Sequence, residues 1–278
     1  MKRRFQQLDV FTDRACFGNP LAVVLDSAGL DSPAMQRFTD WSNLSECTFL
    51  LPPTRPGADY RVRIFCPGRE LPFAGHPTLG SCQAWLNAGG QPLGEVIVQE
   101  CGAGLVRIRR DGQRLSFAAP PLLRNGPLEP AELARIMAGL GLTAADVLGS
   151  AWCDNGPPWR ALLLRDAATV LALRPDAALL QGLDVGVVGA HPVGHACAFE
   201  VRAFFPGAGG GLAEDPVTGS LNAALAQWLI AAGLAPPRYV AAQGTALGRA
   251  GRVFVQHDGV DVWVGGDVVT CIRGEVML

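Results

Sequence analysis

Residues 214–232 read EDPVTGSLNAALAQWLIAA. This is the pattern of a loop that leaves a strand and turns into a helix. Asp215 is placed to cap the helix, Pro216 suits its first turn, and Thr218, Gly219 and Ser220 leave backbone N–H groups open there. From Leu221 onward, apolar residues fall at Leu221, Ala224, Leu225, Trp228, Leu229 and Ala232, the spacing of one helical face. Alanine fills most of the other faces, which predicts a helix buried nearly all round. A buried helix whose N-terminus meets a glycine-bearing loop and a carboxylate predicts an anion-binding, proton-handling site.

The chain carries that arrangement twice. VRIFCPG at 62–68 matches VRAFFPG at 201–207, an offset of 201 − 62 = 139. Carried forward, the same offset sets His76-Pro77 on Asp215-Pro216 and Gly80-Ser81 on Gly219-Ser220, each followed by an apolar helix containing a tryptophan, Trp85 or Trp228. PLAVVLD at 20–26 matches RALLLRD at 160–166, and VRIRRDG at 106–112 matches VFVQHDG at 253–259. Four matches in one order predict an internal duplication, two copies of one fold facing each other. The division is expected between residues 124 and 125, within the turn-rich run LLRNGPLEP at 122–130.

A chain of 278 residues accommodates two such halves, each long enough for its own core. With 49% hydrophobic and 17% charged residues it is too apolar for disorder. A net charge of −2 with scattered basic residues gives no nucleic-acid surface. Gln6, Gln7 and Asp9 interrupt any signal-peptide core, and no run of about 18 apolar residues exists to cross a membrane. The eight cysteines form no CxxC pair, so they read as reduced, packed thiols of a cytoplasmic protein.

Strands are expected at 5–11, 21–25, 60–65, 96–99, 105–109, 114–117, 159–164, 198–205, 240–242, 252–256 and 260–264. Helices are expected at 31–44, 77–87, 129–140 and 174–183, the last as counterpart of the first. Strands outnumber helices and turns are short, the pattern of an α+β protein.

His76 and Asp215 are both proton carriers, placed at matched helix starts. Across a pseudo-twofold axis they would approach one cleft, where helix dipoles favour a carboxylate or a developing enolate. Glu46 is an unexpected carboxylate directly before the apolar run TFLL, where desolvation raises a carboxyl pKa toward acid–base use. His191 and His195 have a metal-ligand spacing, but Pro192 and Gly194 break the helix that would present them, so no metal site is expected. The run GAGGG at 207–211 lacks a phosphate-loop pattern and reads as a flexible connection, and Arg249 and Arg252 read as solvated.

NLSECTF at 43–49, ELPFAGHPTLG at 70–80, VRAFFPG and EDPVTGSLNAAL together resemble the PhzF family, the phenazine-biosynthesis-protein-like isomerases. FTDRACFGNPLAVVLD at 11–26 and QGTALGRAGRVFV at 243–255 extend the resemblance over nearly the whole chain. It implies the diaminopimelate-epimerase-like fold, two pseudosymmetric halves that each wrap a β-barrel-like sheet around a central helix. It also implies a cofactor-independent, often homodimeric enzyme acting on a small carboxylate, such as dihydro-3-hydroxyanthranilate. The family's catalytic residues fall on Glu46, His76 and Asp215, and its substrate-contacting positions on Asn19, Ser45, Gly75, Thr218, Gly219 and Ser220. Related epimerases of this fold carry two cysteines at the helix starts. Those places read here as Ala74 and Pro216, which carry no proton and disfavour a two-thiol racemase. An epimerase working with carboxylates, or a binding module that keeps the cleft, are the other functions this sequence admits.

Overall fold

The computed structural model describes residues 1–207 and 210–278. The flexible role expected of the GAGGG run concerns in part residues 208 and 209, which lie outside the described residues.

In chain order the elements are β1 (Lys2–Val10), β2 (Asn19–Val24), α1 (Ser32–Ser42), β3 (Cys47–Leu51), β4 (Tyr60–Cys66), β5 (Arg69–Leu71), α2 (Gly75–Asn87), β6 (Ile97–Cys101), β7 (Gly104–Asp111) and β8 (Arg114–Ala118). There follow α3 (Pro130–Leu140), β9 (Val147–Asp154), β10 (Pro158–Leu164), α4 (Ala167–Ala172), β11 (Val185–Ala190), β12 (Phe199–Pro206), β13 (Leu212–Asp215) and α5 (Gly219–Ala231). The chain ends with β14 (Arg238–Gln243), β15 (Gly251–His257), β16 (Val262–Gly266) and β17 (Val268–Met277).

These elements form two compact units, one of Met1–Ala118 with Gly265–Leu278, the other of Ala119–Val264. The sequence placed the division six residues later and kept the C-terminus in the second half. Two features explain the difference. The turn-rich segment after residue 118 is tied to β9 by Leu123 N–H to Asp154 O (2.7 Å) and Trp152 N–H to Gly126 O (2.7 Å). β17, for which no strand is expected from the sequence, pairs along the whole of β1 in the first unit.

The duplication is written in the strand pairing. In the first unit β1–β2 is antiparallel, β2–β3 parallel, β3–β4 and β4–β5 antiparallel, β4–β6 parallel and β6–β7 antiparallel. In the second unit β9–β10, β10–β11, β11–β12, β12–β13, β12–β14 and β14–β15 repeat that series sense for sense. Each unit is thus one α+β half with its own central helix, α2 or α5.

α2 packs on β1, β2, β3 and β8, and α5 on β9 and β15. α5 is buried from Gly219 through Ala226 and again at Leu229, as its run of alanine and leucine predicted. The opposite sheet faces are covered too. In the first unit α1 packs Met35 and Phe38 onto Ala22, Val24, Phe49 and Phe65. Phe38–Phe49 and Phe49–Phe65 meet edge to face, 6.1 and 5.6 Å apart. In the second, α3 and α4 bring Ile136, Leu140 and Val170 onto Leu162, Leu164, Val185 and Val187. Strands buried on both faces explain the continuous apolar runs, each large side chain contributing about 1.5–3 kcal/mol.

Local signals set the helix ends. Asp31 caps α1 by accepting from Ala34 N–H (2.8 Å), and Asn43 closes it in the left-handed region at φ 56°. The helix expected at 174–183 is not formed. Its place is taken by α4, seven residues earlier, because Asp166 accepts from Thr169 N–H (2.7 Å) and starts the helix there. Among the described residues no helix is long and apolar enough to cross a membrane.

Candidate active site

In the first unit three of the expected residues meet. Asn19 opens β2, Glu46 directly precedes β3, and His76 is the second residue of α2. His76 is buried, at 4% exposure. Its Nδ1 lies 3.3 Å from Asn19 Nδ2, and its Nε2 lies 3.4 Å from Glu46 Oε2. Burial drives the His76 pKa down from 6.5 to about 3, so the imidazole is neutral near pH 7. The Glu46–His76 contact is therefore not a salt bridge. Because Asn19 presents an N–H to Nδ1, that atom accepts, and the ring proton sits on Nε2 facing Glu46. At 3.4 Å the two atoms are beyond a formed hydrogen bond.

Asn19 is held from behind. Asp9 accepts from Phe17 N–H (2.8 Å) and Gly18 N–H (2.9 Å), fixing the turn that leads into β2. A Cβ on Gly18 would stand 2.2 Å from Val10 O, so only glycine fits that turn. Asn19 itself is fully buried, which puts it against the His76 ring rather than on an open surface. Ser45 is half-buried beside Glu46, and Gly75 is buried at the first position of α2.

The second unit gathers Asp215, Thr218, Gly219 and Ser220 around the start of α5. Asp215 does not cap this helix, and Pro216 is not in its first turn. Thr218 is the cap residue, and Asp215 is the last residue of β13. The Thr218 hydroxyl donates to Asp215 Oδ2 at 2.6 Å. The Ser220 hydroxyl accepts from Trp159 Nε1–H (3.2 Å), and the Ser220 carbonyl from Asn155 Nδ2–H (2.9 Å). Just before Asp215, Glu214 and Arg202 form a two-pronged pair at 2.9 and 2.8 Å.

Strand register corrects the match between the two helix starts. Ile64 pairs with Leu71, and its counterpart Ala203 pairs with Asp215. The offset is 139 for the first pair (203 − 64) and 144 for the second (215 − 71), so the second half carries five more residues in this hairpin. His76 therefore corresponds to Ser220, and Asp215 to Leu71. The helix caps corresponding to each other are Ala74 and Thr218, not Ala74 and Pro216. Neither is a cysteine.

Sequence reasoning missed Gln243. It ends β14 fully buried, accepts from Thr218 N–H (3.0 Å) and Asn222 Nδ2–H (2.8 Å), and donates to Asp215 O (3.2 Å) and Thr218 Oγ1 (2.9 Å). A glutamine closing the apolar run YVAA was the available signal. The stacked rings of His191 and His195 stand 3.9 Å apart, with His191 Nε2 3.1 Å from Glu200 Oε2. Among the described residues no group of three or more histidine, cysteine or acidic side chains is arranged to hold a metal ion.

Comparison with known proteins bears on the family and the fold. The PhzC-PhzF family, described as phenazine biosynthesis-like protein, matches residues 8–274. The chain is 36% identical to antisense-enhancing sequence 1 of Schizosaccharomyces pombe, covering 98% of this chain and 97% of that one. It is 34% identical to trans-2,3-dihydro-3-hydroxyanthranilate isomerase of Pseudomonas aeruginosa, covering 92% and 91%. Among solved structures, a predicted epimerase from Pseudomonas aeruginosa superposes with a TM-score of 0.81 at 30% identity over 99% of both chains. A hydroxyproline epimerase from Agrobacterium vitis, at 15% identity and a TM-score of 0.62 over 100% and 93%, shares the fold alone. The chain belongs to the phenazine biosynthesis-like family, PhzC-PhzF, and is an enzyme of the isomerase class.

Proposed function

We propose that this isomerase moves a proton between carbons of a small carboxylate substrate by acid–base catalysis from its own side chains, without a cofactor. The observation that carries this reading is the Glu46–His76 arrangement, a carboxylate facing the Nε2–H of a buried, neutral imidazole at a helix start. Glu46 is the principal acid–base. Its carboxylate takes a proton from a substrate carbon, leaving an enol or enolate, exchanges it with solvent, and delivers a proton to the conjugated carbon. The substrate gains and loses one proton, and no redox step occurs.

His76 supports this cycle as a hydrogen-bond donor rather than a cation. A neutral imidazole donates to a developing enolate without competing for the proton that Glu46 carries. Asp215 assists, in the role given it by its motif. Asn19, Ser45, Gly75, Thr218, Gly219 and Ser220 line the substrate or hold the groups that do.

Relatives named trans-2,3-dihydro-3-hydroxyanthranilate isomerase make that compound the first substrate to test. The protein, converting it in D2O, is expected to yield product with one deuterium at the carbon that receives the proton. Turnover without label would contradict proton exchange through Glu46. We further propose a cytoplasmic homodimer, which light scattering would register as twice the 29.3 kDa chain mass.

A further inference from the structure

The hydrogen bonds around Gln243 have only one consistent direction. The Thr218 backbone N–H can only donate, so the Gln243 atom facing it at 3.0 Å is the carbonyl oxygen Oε1. Asn222 agrees, since its Nδ2 donates both to the Thr218 carbonyl (2.9 Å) and to the same Oε1 (2.8 Å). The other end of the Gln243 amide is then NH2. It donates to the Asp215 carbonyl (3.2 Å) and to the Thr218 hydroxyl oxygen (2.9 Å). With its oxygen accepting from Gln243, the hydroxyl points its single proton at Asp215 Oδ2, 2.6 Å away.

The first unit shows which part of this network is scaffold. Gln99 stands 243 − 99 = 144 residues before Gln243, and Thr78 stands 144 before Asn222. Gln99 is fully buried, donates to the Thr78 hydroxyl (3.0 Å) and accepts from Tyr60 OH (3.0 Å). A buried glutamine gripping the fourth residue of the central helix is thus common to both halves. Only in the second half, with its five extra residues, does the glutamine also reach a hydroxyl aimed at a carboxylate.

We infer that Gln243 is a positioning residue, which fixes the Thr218 hydroxyl as a donor and so holds Asp215 as an ionised proton acceptor. A pure scaffold role would need only the bonds to the Thr218 N–H and to Asn222. The hydroxyl bond goes beyond that need, and a hydrogen bond given to the ionised form of a carboxyl group favours that form. The catalytic consequence rests on the reading of Asp215 given above, whereas the arrangement itself does not.

The test is a carbon-13 NMR titration of the Asp215 carboxyl, assigned by its loss in Asp215→Asn. In Thr218→Val, which deletes the hydroxyl and keeps the backbone contacts, the midpoint is expected to rise by about one pH unit. Thr218→Ser, which restores the hydroxyl, is expected to titrate like the wild type. Gln243→Leu should move the midpoint the same way as Thr218→Val, and should it fail to fold, the two Thr218 variants decide alone. An unmoved midpoint in Thr218→Val overturns the inference and leaves Gln243 a helix-end scaffold. If the midpoint rises while the conversion rate of trans-2,3-dihydro-3-hydroxyanthranilate stays at the wild-type value, the inference stands and the catalytic reading of Asp215 falls.

Discussion

His76 Nε2 lies 3.4 Å from Glu46 Oε2, and the imidazole is neutral because it is buried. An ion pair there would hold both groups in fixed charge states. In the mechanism proposed here, a neutral donor beside the carboxylate lets Glu46 gain and release a proton while His76 keeps its own. The buried start of α2 and the Asp9-anchored turn before Asn19 hold this geometry before any substrate arrives.

The neutral imidazole has a consequence for stability. In the unfolded chain His76 takes up a proton near pH 6.5, whereas in the folded protein it does so only near 3. Below pH 6.5 protons therefore bind the unfolded state preferentially, and stability from this residue falls as the pH drops through that window. Urea midpoints measured between about pH 7 and about pH 4 should fall less steeply in His76→Asn than in the wild type. Nitrogen-15 spectra should show His76 as the Nε2–H tautomer throughout that range.

Glu214, although it adjoins Asp215, acts through the fold. It forms the part-buried two-pronged pair with Arg202, whose Nη1 also donates to the carbonyls of Val170 (3.1 Å) and Leu173 (3.0 Å) at the end of α4. Arg202→Met leaves a carboxylate without its partner and is expected to cost about 3–5 kcal/mol by urea denaturation. The variant's remaining folded fraction should keep its turnover.

The thiols divide by depth. Burial pushes Cys47 up to about 11 and Cys82 and Cys153 up to about 12, which makes their thiolates scarce at neutral pH. Cys16 and Cys271 are exposed. Ellman's reagent should label Cys16 and Cys271 in the native protein, with Cys47, Cys82 and Cys153 following only on unfolding. Complete alkylation of the two exposed thiols should leave turnover in place, as expected for chemistry that uses no thiol.

Gly80 sets how closely α2 approaches its sheet. A Cβ there would stand 2.5 Å from Leu21 Cδ2 and 3.1 Å from Val10 Cγ2. Gly80→Ala is expected to destabilise by about 1–3 kcal/mol through overpacking. Because Leu21 lies two residues beyond Asn19, the substitution should also lower turnover in the folded protein. A Gly80→Ala variant as stable as the wild type would contradict the packing described.

Much of this was legible in the sequence because repeats and helix faces leave strong marks. The VRIFCPG and VRAFFPG runs sit on corresponding strands, β4 and β12, and the alanine-rich run after Gly219 is the buried helix. Glu46, His76 and Asn19, far apart in the chain, do meet. A constant offset, however, cannot show an insertion, and the five extra residues before Asp215 made it look like the partner of His76. Gln243 escaped notice because its importance lies in contacts to Asp215, Thr218 and Asn222, more than twenty residues back along the chain. β17 went unread because its alternation is broken by exposed positions, and only pairing with β1 makes it a strand.

The proposed chemistry turns on Glu46 as the proton carrier. The most direct measurement is the rate of solvent-deuterium incorporation into trans-2,3-dihydro-3-hydroxyanthranilate by wild type and by Glu46→Gln, both shown to be folded by circular dichroism. A general acid–base group contributes about 10²–10⁴-fold, so Glu46→Gln is predicted to lose deuterium incorporation and turnover together by that factor. Glu46→Gln exchanging label at the wild-type rate would contradict the assignment.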